Sequence, residues 1–266
     1  MQVCVVGSGG REHALASVLS RSAEVIVTPG NPGIPGSVVT PAEEVDADLF
    51  IIGPEQPLVD GLADRLRQRG NLVFGPGADG ARLEGSKAWM KGLLAEAGVP
   101  TARHGAFTDE ASALAYLDQM EDLFVIKTDG LAAGKGVLVT GDRSVATEAV
   151  GEYLSGTAFG DAGRRVVIEE GLSGPELSVL AVCDGKSAVP LVPAQDFKRL
   201  GDGDVGPNTG GMGAFSPVSI ATTDVVDSLM EDAVLPTLAT LRSRGIDYRG
   251  VLYCGLMFTP DGPKVL

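Results

Sequence analysis

The chain has 266 residues, enough to bury a substantial core in one large domain or two smaller ones. Its 21 Lys and Arg against 35 Asp and Glu give a net charge of −14, and without a basic run this charge argues against binding to nucleic acid or to an anionic membrane. The chain has only two histidines, which excludes a histidine-rich metal site and disfavours a Ser-His-Asp triad. Its three cysteines lack metal-ligand spacing.

The N-terminus, MQVCVVGSGG, lacks the basic start and the long apolar run of a signal peptide. No later run approaches the roughly 18 apolar residues of a membrane span. We therefore expect a cytoplasmic protein whose cysteines, Cys4, Cys183 and Cys254, are buried, reduced thiols in strands. His13 and His104 lie in or beside turns, where a local structural role is expected.

The first hundred residues alternate between strand and helix patterns. Apolar runs predict strands at residues 2–7, 24–28, 49–53 and 71–75. Helices are predicted after the first strand, along an apolar stripe of Leu58, Leu62 and Leu66, and over residues 79–98, where Gly98 and Pro100 mark a domain hinge. This alternation predicts an α/β domain over residues 1–100, with a doubly wound parallel sheet.

Beyond residue 100 the pattern changes to helices and adjacent antiparallel strands, which is typical of an α+β domain. Residues 194–217 contain six glycines and show no periodicity, so a long loop is predicted there, and its composition favours a binding loop over a solvated insertion. Helices are predicted at about 109–120, 143–155 and 223–244, and strands at 165–170, 176–184, 187–192 and 250–258, with a further strand beginning at PKVL.

The stretch KTDGLAAGKGVLVTG, residues 127–141, resembles a phosphate-binding P-loop but has the wrong spacing. Three residues instead of four separate Gly130 from Gly134, and Gly136 stands where a Walker A loop has Ser or Thr. The β-branched VLVTG that follows predicts a second strand, so the unit is strand, glycine-rich turn, strand. Such a turn can close over a nucleotide with N–H groups and lysines facing phosphate; a flexible hairpin tip is the alternative.

A second glycine-rich turn, VVGSGGREHAL, begins like a Rossmann dinucleotide fingerprint. Glu12 occupies the third glycine position of that fingerprint, which disfavours a nicotinamide cofactor. Gly9, Gly10 and Arg11 at a helix N-terminus could still cradle a single phosphate. A tight turn without a ligand is the alternative.

Lysines and glutamates at strand and helix ends form a third group. Lys127 closes an apolar strand beside the glycine-rich turn, and Lys87 lies on a helix, so both suit phosphate oxygens; a solvated helix face is the alternative for Lys87. Glu169 and Glu170 end a strand, and Glu176 follows on the next. These carboxylates suit hydrogen bonds to an adenine edge and ribose hydroxyls, or acid–base chemistry.

Seven segments in order, GSGGREHALA, GPEQPLVDGL, LEGSKAWMK, KTDGLAAGKGV, FGDAGRRVVIEE, QDFKRLGDGDVGPNTGGMGAFSP and GVLYCGLM, closely resemble the phosphoribosylamine-glycine ligase family of ATP-grasp enzymes in purine biosynthesis. The resemblance covers essentially the whole chain. It implies a Rossmann-like pre-ATP-grasp domain over residues 1–100 and an ATP-grasp domain over residues 101–266, truncated at its C-terminus, with a lid at about 122–188.

The resemblance also implies the functional residues. Those implied for ATP are Lys87, Lys127, Gly130, Gly134, Lys135, Gly136, Glu169, Glu170, Leu172 and Glu176, with Lys87 and Lys127 on the phosphates. Those implied for the sugar phosphate are Gly9, Gly10, Arg11 and Glu12. Those implied for the pocket of glycine and phosphoribosylamine are Asp196, Lys198, Asn208, Thr209, Gly210, Gly211 and Met212. Phe197 stands where the family usually has His.

The implied reaction joins glycine to 5-phosphoribosylamine through glycyl phosphate, using ATP with Mg²⁺ or Mn²⁺, and a monomer is expected. The metal-ligating Glu and Asn of the family are expected beyond Leu266, so residues 1–266 alone are expected to be inactive. Two rival hypotheses remain: another ATP-grasp carboxylate-amine ligase with different substrates, and a non-catalytic nucleotide-binding module.

Overall fold

The structure is a computed structural model, and it describes residues 1–132, 136–156, 164–203 and 205–266. The chain forms two compact units: Met1–Arg82 with Gly245–Gly250, and Leu83–Arg244 with Val251–Leu266. The domain boundary near residue 100 and the lid at 122–188 stay predictions. No helix in the described ranges combines the length and the apolar character needed to cross a bilayer.

The first unit is built on a parallel sheet, as the sequence predicts. Its strands are β1 (Gln2–Gly7), β2 (Glu24–Pro29), β3 (Leu49–Ile52) and β4 (Leu72–Phe74), in the order β2-β1-β3-β4. Its helices are α1 (Gly10–Leu19), α2 (Glu55–Val59) and α3 (Leu62–Gln68), with a 3₁₀ turn at Ala42–Glu44.

Alternation along β1 gives this sheet two buried faces. Val3 packs on one face with Ala16 of α1, and Cys4 packs on the other face with Leu62 and Leu66 of α3. Successive side chains of a strand point to opposite faces, so helices cover both sides of the sheet. The doubly wound arrangement is confirmed.

Two helices predicted as continuous are each divided. The stripe of Leu58, Leu62 and Leu66 is split between α2 and α3, because Gly61 precedes α3 with a left-handed φ of 78°. The helix predicted at residues 79–98 is split into α4 (Ala78–Gly85) and α5 (Lys87–Ala97). Ser86 between them is extended, and its hydroxyl accepts the Trp89 N–H at 3.2 Å as an N-cap.

An antiparallel sheet in the second unit carries the predicted hairpin. Its strands are β5 (His104–Phe107), β6 (Phe124–Thr128), β7 (Val137–Thr140) and β8 (Val166–Glu170), in the order β5-β8-β6-β7. Helices α6 (Glu110–Leu117) and α7 (Arg143–Leu154) pack on it, burying Leu117, Ile126, Val150 and Ile168. The β6–β7 pairing confirms the hairpin, whereas β5, with the sequence HGAF, was not predicted.

The remaining strands form a second antiparallel sheet and a ribbon. They are β9 (Glu176–Asp184), β10 (Ala188–Pro190), β11 (Gln195–Gly201), β12 (Val205–Phe215), β13 (Arg249–Thr259) and β14 (Gly262–Val265). The sheet has the order β10-β9-β13-β14, and β11 pairs only with β12 in the described sheets. The helix predicted near 223–244 consists of α8 (Thr223–Leu229), a π-helical turn at Met230–Val234 and α9 (Leu235–Ser243).

The prediction of a long loop without strands at residues 194–217 is wrong, because β11 and β12 form an antiparallel ribbon there. The register shifts between Phe197 and Arg199 and again between Arg199 and Gly201. Gly206 and Gly211 have positive φ angles of 87° and 118°. Bulges and glycines interrupt the two-residue alternation by which a strand is recognised.

The three cysteines behave as the sequence predicts. Cys4, Cys183 and Cys254 are buried, free thiols in β1, β9 and β13. Burial raises the pKa of Cys4 and Cys183 to about 11 and that of Cys254 to about 12. Thiols that stay protonated at neutral pH are poor nucleophiles, so a structural role follows.

Candidate functional site

A cavity of about 640 Å³ lies within the second unit, where three segments meet. These are the β6–β7 hairpin, the segment 169–176 that joins β8 to β9, and the β11–β12 ribbon. One part of its wall is apolar and is formed by Leu123, Val125, Val137, Val139, Leu172 and Met257. Its size and its mixed apolar and polar lining are typical of a small-molecule site.

The polar part of the cavity centres on Lys127 and Glu169. Lys127 lies on β6, and its Nζ is 2.9 Å from Glu169 Oε1 at the end of β8. The other carboxylate oxygen, Oε2, is 2.9 Å from Nζ of Lys91 on α5. Glu169 is therefore held between two ammonium groups. We call Lys91, Lys127 and Glu169 the buried charge cluster.

Burial differs within the buried charge cluster. The Lys127 side chain is 13% exposed, whereas those of Glu169 and Lys91 are 3% and 0% exposed. Burial lowers the pKa of Lys91, and Glu169 opposes that effect only in part. For Glu169, burial alone would raise the pKa, but Lys127 and Lys91 together bring it below its ordinary value. Glu169 is thus ionised at neutral pH.

Lys87 contacts the start of the glycine-rich turn. Its Nζ donates to the Gly130 carbonyl at 2.9 Å. The Asp129 carboxylate accepts from the Ser86 hydroxyl at 3.0 Å and from the Ala88 N–H at 3.1 Å, the two neighbours of Lys87. Burial, and then the charge of Lys127, lower the pKa of Lys87. Asp129 therefore holds the start of α5 against the end of β6.

The ribbon contributes a second charged group to the cavity. Lys198 Nζ donates to Glu176 Oε2 at 2.6 Å and is 3.7 Å from Asp196 Oδ1. Burial would lower the pKa of Lys198, but the Glu176 contact raises it overall. Thr209 on β12 donates to the Lys198 carbonyl at 2.8 Å, which joins the two strands of the ribbon at this lysine.

The structure brings many, though not all, of the predicted residues to the cavity. The predicted residues that line the cavity are Lys127, Glu169, Glu170, Leu172, Glu176, Asp196, Lys198, Thr209 and Gly210. Phe197 lines it too and stacks on Phe215, with ring centroids 5.9 Å apart. Lys87, Gly130, Gly136, Gly211 and Met212 are not among the described lining residues. Gly134 and Lys135, and the side chain of Asn208, lie outside what the structure describes.

Sequence reasoning missed Lys91. A lysine on a helix is ordinarily solvated, and neither a turn nor a strand end marks this one. The available signal was its spacing: Lys91 follows Lys87 by one helical turn and so lies on the same side of α5. Arg199 on β11 also lines the cavity and was not predicted.

The predicted phosphate cradle belongs to the first unit, and a carboxylate occupies part of it. Glu12 is 3% exposed. Its Oε2 accepts the Gly9 N–H at 2.7 Å, and its Oε1 accepts Nε of Arg11 at 2.8 Å. Two donors of the cradle, the Gly9 N–H and the Arg11 Nε, are therefore already bonded to a carboxylate of the chain itself. The phosphate role of Gly9, Gly10, Arg11 and Glu12 stays a prediction.

The cavity wall at Gly174 permits a test of its packing. Gly174 has φ of 149°, and a Cβ there would lie 1.9 Å from the Phe258 carbonyl oxygen. We expect Gly174→Ala to lower the free energy of unfolding by at least about 2 kcal/mol, from backbone strain and overpacking of roughly 1 to 3 kcal/mol each. Urea unfolding would measure this loss.

Gly262→Ala is the matched control, because Gly262 has φ of 108° and nothing within 4 Å of the added Cβ. Only the backbone contribution is expected there. Equal losses in the two variants would show that Gly174 does not pack closely against β13.

Comparison with known proteins covers the chain from end to end. A family model described as "Phosphoribosylglycinamide synthetase, N domain" matches residues 1–84, and one described as "Phosphoribosylglycinamide synthetase, ATP-grasp (A) domain" matches residues 85–266. Relatives named phosphoribosylamine--glycine ligase include one from Caulobacter vibrioides, 48% identical, and one from Synechocystis, 49% identical. These matches cover all of this chain and 66% and 67% of the lengths of the two relatives. The chain thus spans about two thirds of their length.

Solved structures agree with this result. A phosphoribosylamine--glycine ligase from Thermotoga maritima superposes with a TM-score of 0.85 at 35% identity, covering 100% of this chain and 68% of that one. A carboxyaminoimidazole ribonucleotide synthase from Aspergillus clavatus, solved with ATP, has a TM-score of 0.72 at 16% identity, and the match covers 99% of this chain and 68% of that one. The second likeness shows the fold alone. Since the two family models together match residues 1–266, the chain belongs to the phosphoribosylglycinamide synthetase family.

Proposed function

We propose that this chain carries the nucleotide-binding part of a phosphoribosylamine-glycine ligase, which joins glycine to 5-phosphoribosylamine at the expense of ATP. The observation that carries the proposal is a cavity with an apolar wall and a partly exposed lysine, Lys127, in a chain matched throughout by this family. The relatives at 48% and 49% identity bear the name of this activity.

The cavity suits ATP in both of its parts. The apolar wall, with Val125, Val139 and Leu172, can pack against a purine ring. Lys127 at the polar part, with Lys87 beside the glycine-rich turn, supplies the cations for the phosphates. Glu176 and Lys198 are suited to hydroxyl groups of the ribose or of the second substrate.

The reaction needs charge and positioning more than a proton-transfer base. A carboxylate is a poor electrophile, so glycine is first converted to an acyl phosphate by the γ-phosphoryl group of ATP, and the amine then displaces phosphate. Phosphoryl transfer depends on positioning and on neutralising the charge spread over the phosphate oxygens. Lysines meet this need without a histidine.

The divalent metal ion that accompanies ATP in this family stays an expectation. Among the residues that the structure describes, no group of three or more His, Cys, Asp or Glu side chains is arranged to hold a metal ion. Cytoplasmic location, supported by three free cysteines, and a monomeric state also belong to the proposal.

Substrate choice is the test of this function. In the complete enzyme, we expect glycine with 5-phosphoribosylamine to stimulate ADP release, and alanine to do so poorly, because its extra methyl must fit against the ribbon with the sequence GPNTGGMGA. One methyl group is worth about 1 to 3 kcal/mol in a pocket, which corresponds to about 10-fold to 200-fold in kcat/KM. A coupled ADP assay would measure both rates.

Two results would change the assignment. Equal ADP release with glycine and alanine would favour another ATP-grasp carboxylate-amine ligase. ATP binding by the complete enzyme in calorimetry, without ADP release under any substrate pair, would favour a nucleotide-binding module.

A further inference from the structure

The buried charge cluster contains a lysine that the proposed reaction does not use. Lys91 is completely buried and pairs with Glu169 Oε2 at 2.9 Å. Its Nζ also donates to the Thr101 hydroxyl at 2.6 Å, and that hydroxyl donates to the Val265 carbonyl at 2.6 Å. Lys91 is therefore held on two sides by fixed partners. It is not among the described residues that line the cavity.

The charges of the cluster explain why a second lysine is needed. Lys127 and Glu169 alone would form a neutral pair, and a neutral pair attracts an approaching phosphate only weakly. With Lys91 the formal charge becomes +1. Lys127, at 13% exposure, is the most accessible member, so the net positive charge faces the cavity through its ammonium group.

Glu169 has a separate effect on geometry. A lysine side chain has several rotatable bonds, and an unpaired ammonium at the end of β6 would sample many positions. The carboxylate, fixed by Lys91, holds the Lys127 Nζ at 2.9 Å. A charge that is placed before the ligand arrives needs no reorganisation on binding.

We propose that Lys91 is a positioning residue that neutralises Glu169, so that Glu169 can hold the Lys127 ammonium in place without cancelling its attraction for the phosphates of a nucleotide. This inference rests on the proposed function, since it takes ATP as the ligand of the cavity. Lys91 itself does not touch the nucleotide.

The main test removes the Lys91 charge but retains hydrogen-bond donors for Glu169 and Thr101. Lys91→Gln is expected to weaken ATP binding about 10-fold or more by calorimetry, with adenosine binding changed less than about 2-fold, because adenosine has no phosphates. Lys186→Met is the control, because Lys186 is exposed in the turn between β9 and β10. This variant loses the same charge, and no change in its ATP affinity is expected.

Compensation separates this role from a structural one. In Lys91→Gln/Glu169→Gln both opposite charges are gone, so Lys127 is no longer opposed and ATP should bind at least about 3-fold more tightly than in Lys91→Gln. A merely structural role predicts that a second substitution in the interior brings no recovery. Circular dichroism and melting curves would establish that each variant is folded.

Each outcome decides one question. Unchanged ATP affinity in folded Lys91→Gln, or no recovery in the double variant, would overturn the role of Lys91. If Lys91→Gln does not fold, the double variant decides by itself. An ATP affinity more than about 10-fold weaker than that of the wild-type protein would then overturn the proposal. Absence of ATP binding by the wild-type protein would instead contradict the proposed function.

Discussion

In the complete enzyme, Lys127→Ala is expected to lower the turnover of glycine ligation by about 100-fold or more. Lys127 is the cation of the buried charge cluster that faces the cavity, and Glu169 holds it in position. Removing one preorganised charge from a reacting centre typically costs about 3 kcal/mol of transition-state stabilisation. ADP formation with saturating glycine, 5-phosphoribosylamine and ATP would measure the loss.

This variant should remain folded, because Glu169 keeps its ion pair with Lys91 after Lys127 is removed. Lys186→Ala, at an exposed turn, provides a control of equal charge change. Unchanged kinetics in a folded Lys127→Ala protein would remove Lys127 from the site.

Glu169→Leu is expected to lower the free energy of unfolding by about 3 to 5 kcal/mol at pH 7. The substitution leaves Lys91 and Lys127 close together in the interior without their shared carboxylate. Breaking a buried ion pair by removing one partner leaves an uncompensated buried charge, and this is the cost expected for it. Urea unfolding, followed by circular dichroism, would measure it.

The pH dependence of this loss has a definite sign. Burial already holds the pKa of Lys91 below the ordinary value of 10.5, and without Glu169 it should fall further. The folded variant then binds fewer protons than the folded wild-type protein, so its stability rises more steeply with pH. The deficit of Glu169→Leu should therefore be largest near neutral pH and shrink as the pH approaches 10.5.

At acid pH the wild-type protein should lose what Glu169 contributes. The Glu169 pKa is lowered from 4.5, so its contribution is present above pH 4.5 and disappears as the pH falls through the folded-state value.

The control for Glu169→Leu is Glu148→Leu, at an exposed site on α7, which should change stability by less than about 0.5 kcal/mol. A stability deficit of Glu169→Leu that is equal at pH 7 and pH 9.5 would contradict the charge explanation.

Local patterns in the sequence were sufficient for most of the fold. The parallel sheet of the first unit follows from apolar runs such as residues 2–7, and the β6–β7 hairpin from β-branched runs on each side of a glycine-rich turn. Such patterns reflect backbone geometry, which repeats every two residues in a strand and every 3.6 in a helix. Where glycines and bulges interrupted the repeat, as in the β11–β12 ribbon, the same reasoning failed.

The candidate site likewise contains residues that the sequence predicts and residues that it does not. The positions of Lys87 and Lys127, beside a glycine-rich turn and at the end of a strand, were predicted as phosphate-binding without any tertiary information. The burial of Lys91 was not predictable, because its partner Glu169 is distant in the sequence. Only the tertiary fold, in which α5 contacts β5 beside β8, brings the two charges to 2.9 Å. Periodicity is a local property of the backbone, whereas the pairing of buried charges depends on which distant segments meet. The sequence alone therefore determined the elements and the cations next to them, and the tertiary structure decided which charges are neutralised and which one faces the cavity.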